Sequence, residues 1–166
     1  MTERSDHVAD IQAEWARERP DLDVSPQGVI GRLHRLAARL TDELVTVYSR
    51  HGLTEGEFDV LAALRRAGAP FERAPGELAR FTMVTTGAMT KRVNRLDEVG
   101  LVTRRASEVD GRGKVVALTP AGKELIDAAF TEHMANEHRL VGALDPAERA
   151  CLEQILADWL SRLDGP

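Results

Sequence analysis

A mainly helical chain carrying one small β-wing is predicted by three observations. Ala, Leu, Arg and Glu abound while only 4% of residues are aromatic, a balance that favours helix over sheet. Most segments repeat their apolar residues at the three- and four-residue spacing of a helix face. One stretch, residues 101–118, reads instead as two short strands around a glycine-bearing loop. Preceded by two short helices, this hairpin completes the order helix, turn, helix, wing. The fold class is therefore a winged helix-turn-helix, flanked by N- and C-terminal helices.

The elements follow in chain order. Residues 6–19 place Val8, Ile11, Trp15 and Ala16 on one face, an amphipathic helix that Pro20 ends. A lone Trp there is expected to anchor the helix by packing. After a linker over 21–26, residues 27–51 form a long helix with a wide apolar stripe: Val29, Ile30, Leu33, Leu36, Ala37, Leu40, Leu44, Val47 and Tyr48. Gly52 closes it. Thr54 and Glu57 open the next helix as a capping box, with Phe58, Leu61, Ala62 and Leu64 inward and Asp59 among them. Residues 68–73 read as a link. Pro75 to Phe81 is a short helix with Pro at its first turn, ending near Thr82.

Thr85 or Thr86 caps the following helix, whose buried face is Met89, Val93 and Leu96, and Gly100 stops it. Its opposite face shows Thr86, Gly87, Thr90, Lys91 and Asn94, with Thr85 at its start and Arg95 at its flank. Small residues, hydroxyls, amides and cations suit base edges and phosphates. The strands 101–105 and 114–118 enclose a loop in which Arg112 stands between two glycines, two residues after Asp110. The Asp110 carboxylate can hold that guanidinium out along the loop, and an Arg so presented fits a narrow minor groove. Thr119 caps a helix from Pro120 to about Val141, with Leu125, Ile126, Ala129, Phe130, Met134 and Leu140 as its apolar positions. A last helix from Asp145-Pro146 to about Leu163 carries Cys151, Leu152, Ile155, Leu156, Trp159, Leu160 and Leu163 at heptad-like spacing.

Length and charge narrow the class further. A chain of 166 residues with 43% hydrophobic content is one domain, 1–166, able to bury a core. Within it, 6–51 and 119–163 are expected to be dimerisation helices and 54–118 the reading region. Neither terminal part can bury its apolar face alone, so two copies interlocking as a C2 homodimer are expected, matched to a palindromic operator in double-stranded DNA. The net charge of −5 is unevenly spread. Residues 73–114 hold nine Lys and Arg against five Asp and Glu, a local +4, which leaves −9 elsewhere. Phosphate binding needs a basic surface rather than a basic protein. No membrane span, apolar leader or cysteine pair is seen, and the expected compartment is the cytoplasm.

Certain of these residues carry a resemblance. Asp110-x-Arg112 followed by Leu118-Thr119-Pro120-Ala121-Gly122, and the run Arg95-Leu96-x-x-x-Gly100-Leu101-Val102-x-Arg104, resemble the MarR family of bacterial transcriptional regulators from about residue 26 onward. The resemblance implies a dimer whose recognition helices enter successive major grooves. Arg92 departs from the family pattern: it follows Met89 by three and precedes Val93, so it leans toward the inner side, where an aliphatic residue is usual. Two readings stand level. One is a buried cation partnered by Asp59, the other a phosphate-binding Arg on the DNA side.

The chain also resembles a urate-responsive subset of that family, which adds an N-terminal helix bearing a Trp, an Asp in the third helix and an Arg in the recognition helix. Trp15, Asp59 and Arg92 match by position. The resemblance implies that Arg92 pairs with a small anionic ligand, Trp15 encloses it, and Asp59 is displaced, with loss of operator affinity. Urate, or another planar or carboxylate anion, is the expected effector, and repression is the expected mode.

Other chemistry is weaker. His133 and Glu137 share a helix face at i, i+4 spacing, but no Cys or matched second His completes a metal site, so solvated helix residues are expected and no cofactor is called for. Cys151 lies on an apolar stripe and is expected to be a buried structural thiol. A metal- or redox-sensing regulator of the same fold is the alternative. A helical interaction protein that binds no DNA is another, but it would leave the Arg112 hairpin without a purpose. No Gly-rich phosphate loop, HExxH or Ser-His-Asp order is present, so an enzyme is not expected.

Overall fold

The structure, a computed structural model, describes residues 6–82, 85–106 and 114–165, with the backbone alone at residue 86. It divides into two compact units, one ending at Glu43 and the other beginning at Leu44.

The first unit holds α1 (His7–Glu18) and most of α2 (Gln27–Arg50). Asp6 caps α1 by accepting from the backbone N–H groups of Val8 and Ala9 at 3.1 and 3.0 Å. The same carboxylate receives the Arg32 guanidinium at 2.8 and 3.0 Å. These bonds, the Arg32 one first, hold its pKa down at about 2. Val8 is the buried residue of α1. Trp15 and Ala16, expected on the packed face, are exposed instead, because α1 and the start of α2 offer too little apolar surface to cover them. The α2 stripe is likewise open here: Val29, Ile30 and Leu36 are all exposed.

The second unit begins with the end of α2, where Val47 and Tyr48 are buried. It continues through α3 (Glu55–Arg65), β1 (Glu72–Arg73), α4 (Pro75–Phe81), α5 (Thr86–Glu98), β2 (Val102–Ala106), β3 (Lys114–Leu118), α6 (Pro120–Val141) and α7 (Pro146–Asp164). The Thr54–Glu57 capping box forms as the sequence predicts. Thr85, rather than Thr86, caps α5. One core joins α3, α4, α5, the sheet and α6, with Leu61, Leu64, Leu78, Met89, Leu96 and Ile126 at or near zero exposure. The sheet is antiparallel in the order β1-β3-β2, with Val102 opposite Leu118 and Ala106 opposite Lys114. β1 pairs Glu72 with Ala117 and Arg73 with Val116. That strand lies in what reads as a link, since two charged residues show no alternation; the free edge of β3 recruits them.

Three helix readings need correction. His133 is buried rather than solvated, while Phe130, assigned to the apolar face of α6, is 45% exposed. Cys151 is exposed rather than buried. The reason for the last is that α7 has no buried residue at all, so its heptad face meets nothing within one chain.

The joint between wing and α6 is the tightest in the unit. Thr119 caps α6 through its side chain, accepting from Gly122 N–H at 3.0 Å, and donates its hydroxyl to the Gly100 carbonyl at 2.8 Å. A Cβ on Gly122 would lie 1.9 Å from the Leu101 carbonyl oxygen, so only glycine lets the helix start so close to the strand. Gly122→Ala is expected to destabilise the protein by roughly 1–3 kcal/mol or more through forced backbone movement. A lower denaturant midpoint with an unchanged slope in chemical unfolding is the expected measurement.

Candidate nucleic-acid interface and inner arginine

The outer face of α5 is set by its inner one. Met89, Val93 and Leu96 are 1–2% exposed, which turns Gly87, Thr90, Lys91, Asn94 and Arg95 outward, all of them exposed. Thr85, exposed as well, spends its hydroxyl on the Ala88 N–H. The side chain of Thr86 lies outside the described residues, as do Asp110 and Arg112. A residue not singled out in the sequence joins this face: Arg104 of β2 donates to the Asn94 side-chain oxygen and pairs with Asp97 at 3.4 Å. The guanidinium therefore ties the base of the wing to the recognition helix. Arg105 points the other way along the strand and pairs with Glu72 of β1 at 3.1 Å. Period-two alternation after Val102 already hints that Arg104 and Arg105 face apart.

Arg92 takes the inner orientation. Its side chain runs along the backbone of α3, where a Cβ on Gly56 would stand 2.3 Å from the guanidinium carbon. Gly56 leaves the room. A glycine in the first turn of a helix, where it costs about 1 kcal/mol against Ala, is the sequence signal that was available. The Nη1 atom of Arg92 is buried and has no hydrogen-bond partner. The expected ion pair with Asp59 does not form, and the two groups interact through the field only. Burial raises the Asp59 pKa, Glu55 adds to the rise, and Arg92, Arg66 and His133 oppose it.

Phe58, the chain neighbour of Asp59, belongs to an aromatic cluster. Tyr48 stacks on Phe58 with ring centroids 4.1 Å apart, and His133 lies 5.0 Å from Phe58 and 5.5 Å from Phe130. Burial, then the charges of Asp59, Glu55 and Glu137, push the Tyr48 hydroxyl up to about 12, and that hydroxyl shares a hydrogen bond with His133 Nδ1 at 3.3 Å. The other ring nitrogen faces Glu137 at 3.2 Å. His133 and Glu137 are thus joined to each other, and among the described residues no group of three metal-ligating side chains occurs. Trp15, the third residue of the expected ligand set, belongs to the first unit and is 46% exposed.

Comparison with known proteins places this geometry in a family. Residues 51–113 match the MarR family model. The regulator PecS of Dickeya dadantii is 37% identical over 149 residues, covering 90% of each chain. The chain belongs to the MarR family. A mutant MarR of Escherichia coli, solved with operator DNA, is 28% identical with a TM-score of 0.69, covering 84% of this chain and all of that one. The Mycobacterium tuberculosis MarR-family protein Rv2887, solved with p-aminosalicylic acid, is 28% identical with a TM-score of 0.62, covering 80% of this chain and 98% of that one. The MarR member described here is accordingly a DNA-binding transcriptional regulator with a winged helix-turn-helix, and not an enzyme. No helix among its described residues is long and apolar enough to cross a membrane.

The raised Asp59 pKa has a signed consequence. A carboxylate whose folded pKa exceeds its unfolded value destabilises the fold above the folded pKa, and the cost vanishes as pH falls below the unfolded value. Asp59→Asn is expected to raise the melting temperature at pH 7–8. The gap from wild type should close as pH drops through the carboxylate range; thermal melts across that range measure it.

Proposed function

We propose that this regulator is a repressor that binds a palindromic operator as a homodimer and releases it when a small planar anion binds at Arg92. Urate or a related aromatic or carboxylate anion is the proposed ligand. The observation that carries the reading is the buried, unpartnered Nη1 of Arg92, set on the inner side of the helix whose outer side reads DNA. An anion satisfies that nitrogen. Binding would draw Arg92 from Gly56 or repel Asp59, and either movement shifts α5 against α3. A ligand that binds one arrangement better than another changes operator affinity by that difference. The p-aminosalicylic acid bound by the Mycobacterium relative is a ligand of the same kind, a planar ring with a carboxylate.

Dimerisation is supported by what one chain leaves open. Ile155, Leu160 and Leu163 of α7 are 54%, 59% and 71% exposed, and Val29, Ile30 and Leu36 of α2 are also bare. A second copy covers such faces. Thr85, Thr86, Gly87, Thr90, Lys91, Asn94 and Arg95 are the proposed major-groove and phosphate contacts. Arg112, held by Asp110, is the proposed minor-groove one. Trp15 is proposed to close over the ligand, a role that rests on the resemblance to the urate-responsive regulators. The proposed compartment is the cytoplasm, where the operator is.

A gel-shift titration tests the reading. Wild type is expected to release a short palindrome as urate or p-aminosalicylate is added, while Arg92→Ala holds the DNA at every ligand concentration. Retention by wild type in the presence of all such anions would reject the ligand. For the wing, Arg112→Ala is expected to cost about 1–3 kcal/mol of operator affinity. Equal affinities for the variant and wild type at several salt concentrations would remove the minor-groove contact.

A further inference from the structure

At the C-terminal end of α4, three guanidiniums gather on one aromatic ring. The Arg73, Arg80 and Arg66 guanidinium carbons lie 4.3, 5.3 and 5.9 Å from the centroid of Phe81, which is 40% exposed. They come from three elements: the strand β1, the helix α4 and the C-cap of α3. Arg73 is oriented by donating Nε–H to the Ala63 carbonyl at 3.0 Å.

Two carboxylates on the same elements make other bonds. Glu72 pairs with Arg105. Glu77 accepts from the Ala74 N–H at 3.1 Å. Asp59 feels the charge of Arg66 without pairing to it. The face of one ring attracts cations but does not cancel the repulsion of three held together in this way. A surface so built is complementary to an anion with several charges.

The position of the ring selects the anion. Phe81 precedes Thr85, the N-cap of α5, by four residues, so its Cα lies within about 14 Å of the start of the recognition helix. A major groove is about 12 Å wide and walled by phosphates. We propose that Arg66, Arg73 and Arg80, gathered by Phe81, form a clamp for the DNA backbone at the rim of the groove that α5 enters. The clamp rests on the reading of α5 as the DNA-reading helix. It binds phosphates and no base, so it raises affinity without choosing sequence. Its one apolar member, although 40% exposed, has three guanidiniums over it, so the patch presents charge ahead of an apolar socket for a peptide partner.

The test measures the salt dependence of operator binding by the full-length protein. Each phosphate contact contributes about 0.9 to the slope of log affinity against log salt. The combined variant Arg66→Gln, Arg73→Gln, Arg80→Gln is expected to flatten that slope by about 2–3, with the same proportional loss on an operator and on an unrelated duplex. The double variant Arg66→Gln, Arg80→Gln keeps the Arg73–Ala63 bond and guards against misfolding; about 2 is expected from it. Removing charge at exposed positions outside the named apolar stripes with Arg19→Gln and Arg139→Gln should leave the slope unchanged.

A slope equal to wild type in the folded double variant overturns the clamp, even if an acidic protein partner were lost. An equal flattening in the Arg19→Gln, Arg139→Gln variant also overturns it, since net charge alone would then explain the effect. In both cases wild type still binds its operator and the earlier reading stands. Failure of wild type to bind any duplex sinks that reading and the clamp with it.

Discussion

The seating of α5 on α3 governs the rest of this molecule. Met89, Val93 and Leu96 fill the gap between the helices almost without exposure, and rotation of α5 by even one residue, about 100° of arc, would expose one of them. That fixed angle has two outcomes. It presents Thr90, Lys91 and Asn94 to the outside, and it sends Arg92, one position before Val93, against the α3 backbone at Gly56. An outward polar surface and an inward cation are therefore consequences of the same packing.

This coupling gives the inner site its leverage. A guanidinium nitrogen buried without a partner is costly, and the structure bears the cost because the gain in apolar burial around it is larger. Asp59 adds a second tension, a carboxylate whose pKa is raised first by burial and then by Glu55, against the opposing charges of Arg92, Arg66 and His133. Neither group is at its own optimum. Both groups touch or face the helix that carries the polar surface, which is where the proposed ligand would act. Arg104 extends the chain of contacts, since it holds Asn94 and Asp97 from β2 and so makes wing and helix move together.

Much of this was legible in the residues because local rules and tertiary packing agree. The capping box at Thr54 and Glu57, the cap at Thr119 and the Met89-Val93-Leu96 face all formed where spacing placed them. What spacing could not reveal were features created by contact across the fold. β1 has two residues and owes its existence to a free edge of β3. The depth of His133 follows from Tyr48 and Phe58, which are distant in sequence. Asp59 and Arg92 were legible as neighbours but not as an unpaired couple, since only Gly56 decides where the guanidinium comes to rest. The arginines around Phe81 escaped for the same reason: they stand on three elements and share no sequence period.

The distribution of uncovered apolar surface separates the chain into parts with different needs. From α3 to the start of α6 the core is closed, with Leu61, Leu64, Leu78 and Ile126 wholly buried. By contrast α7 buries nothing, and α1 buries only Val8. At about 25 cal/mol per Å², leaving the Leu and Ile side chains of α7 in water forgoes more free energy than most single interactions in the closed part supply. The reading region covers its apolar faces within one chain, while those of the terminal helices are left for the second copy of the proposed homodimer. One helix serves both parts. The early turns of α2 are bare at Val29, Ile30 and Leu36, and its last turns bury Val47 and Tyr48. Tyr48 stacks on Phe58 and is hydrogen-bonded to His133, so a helix whose start awaits the proposed partner ends among the rings that hold Phe58, the chain neighbour of Asp59.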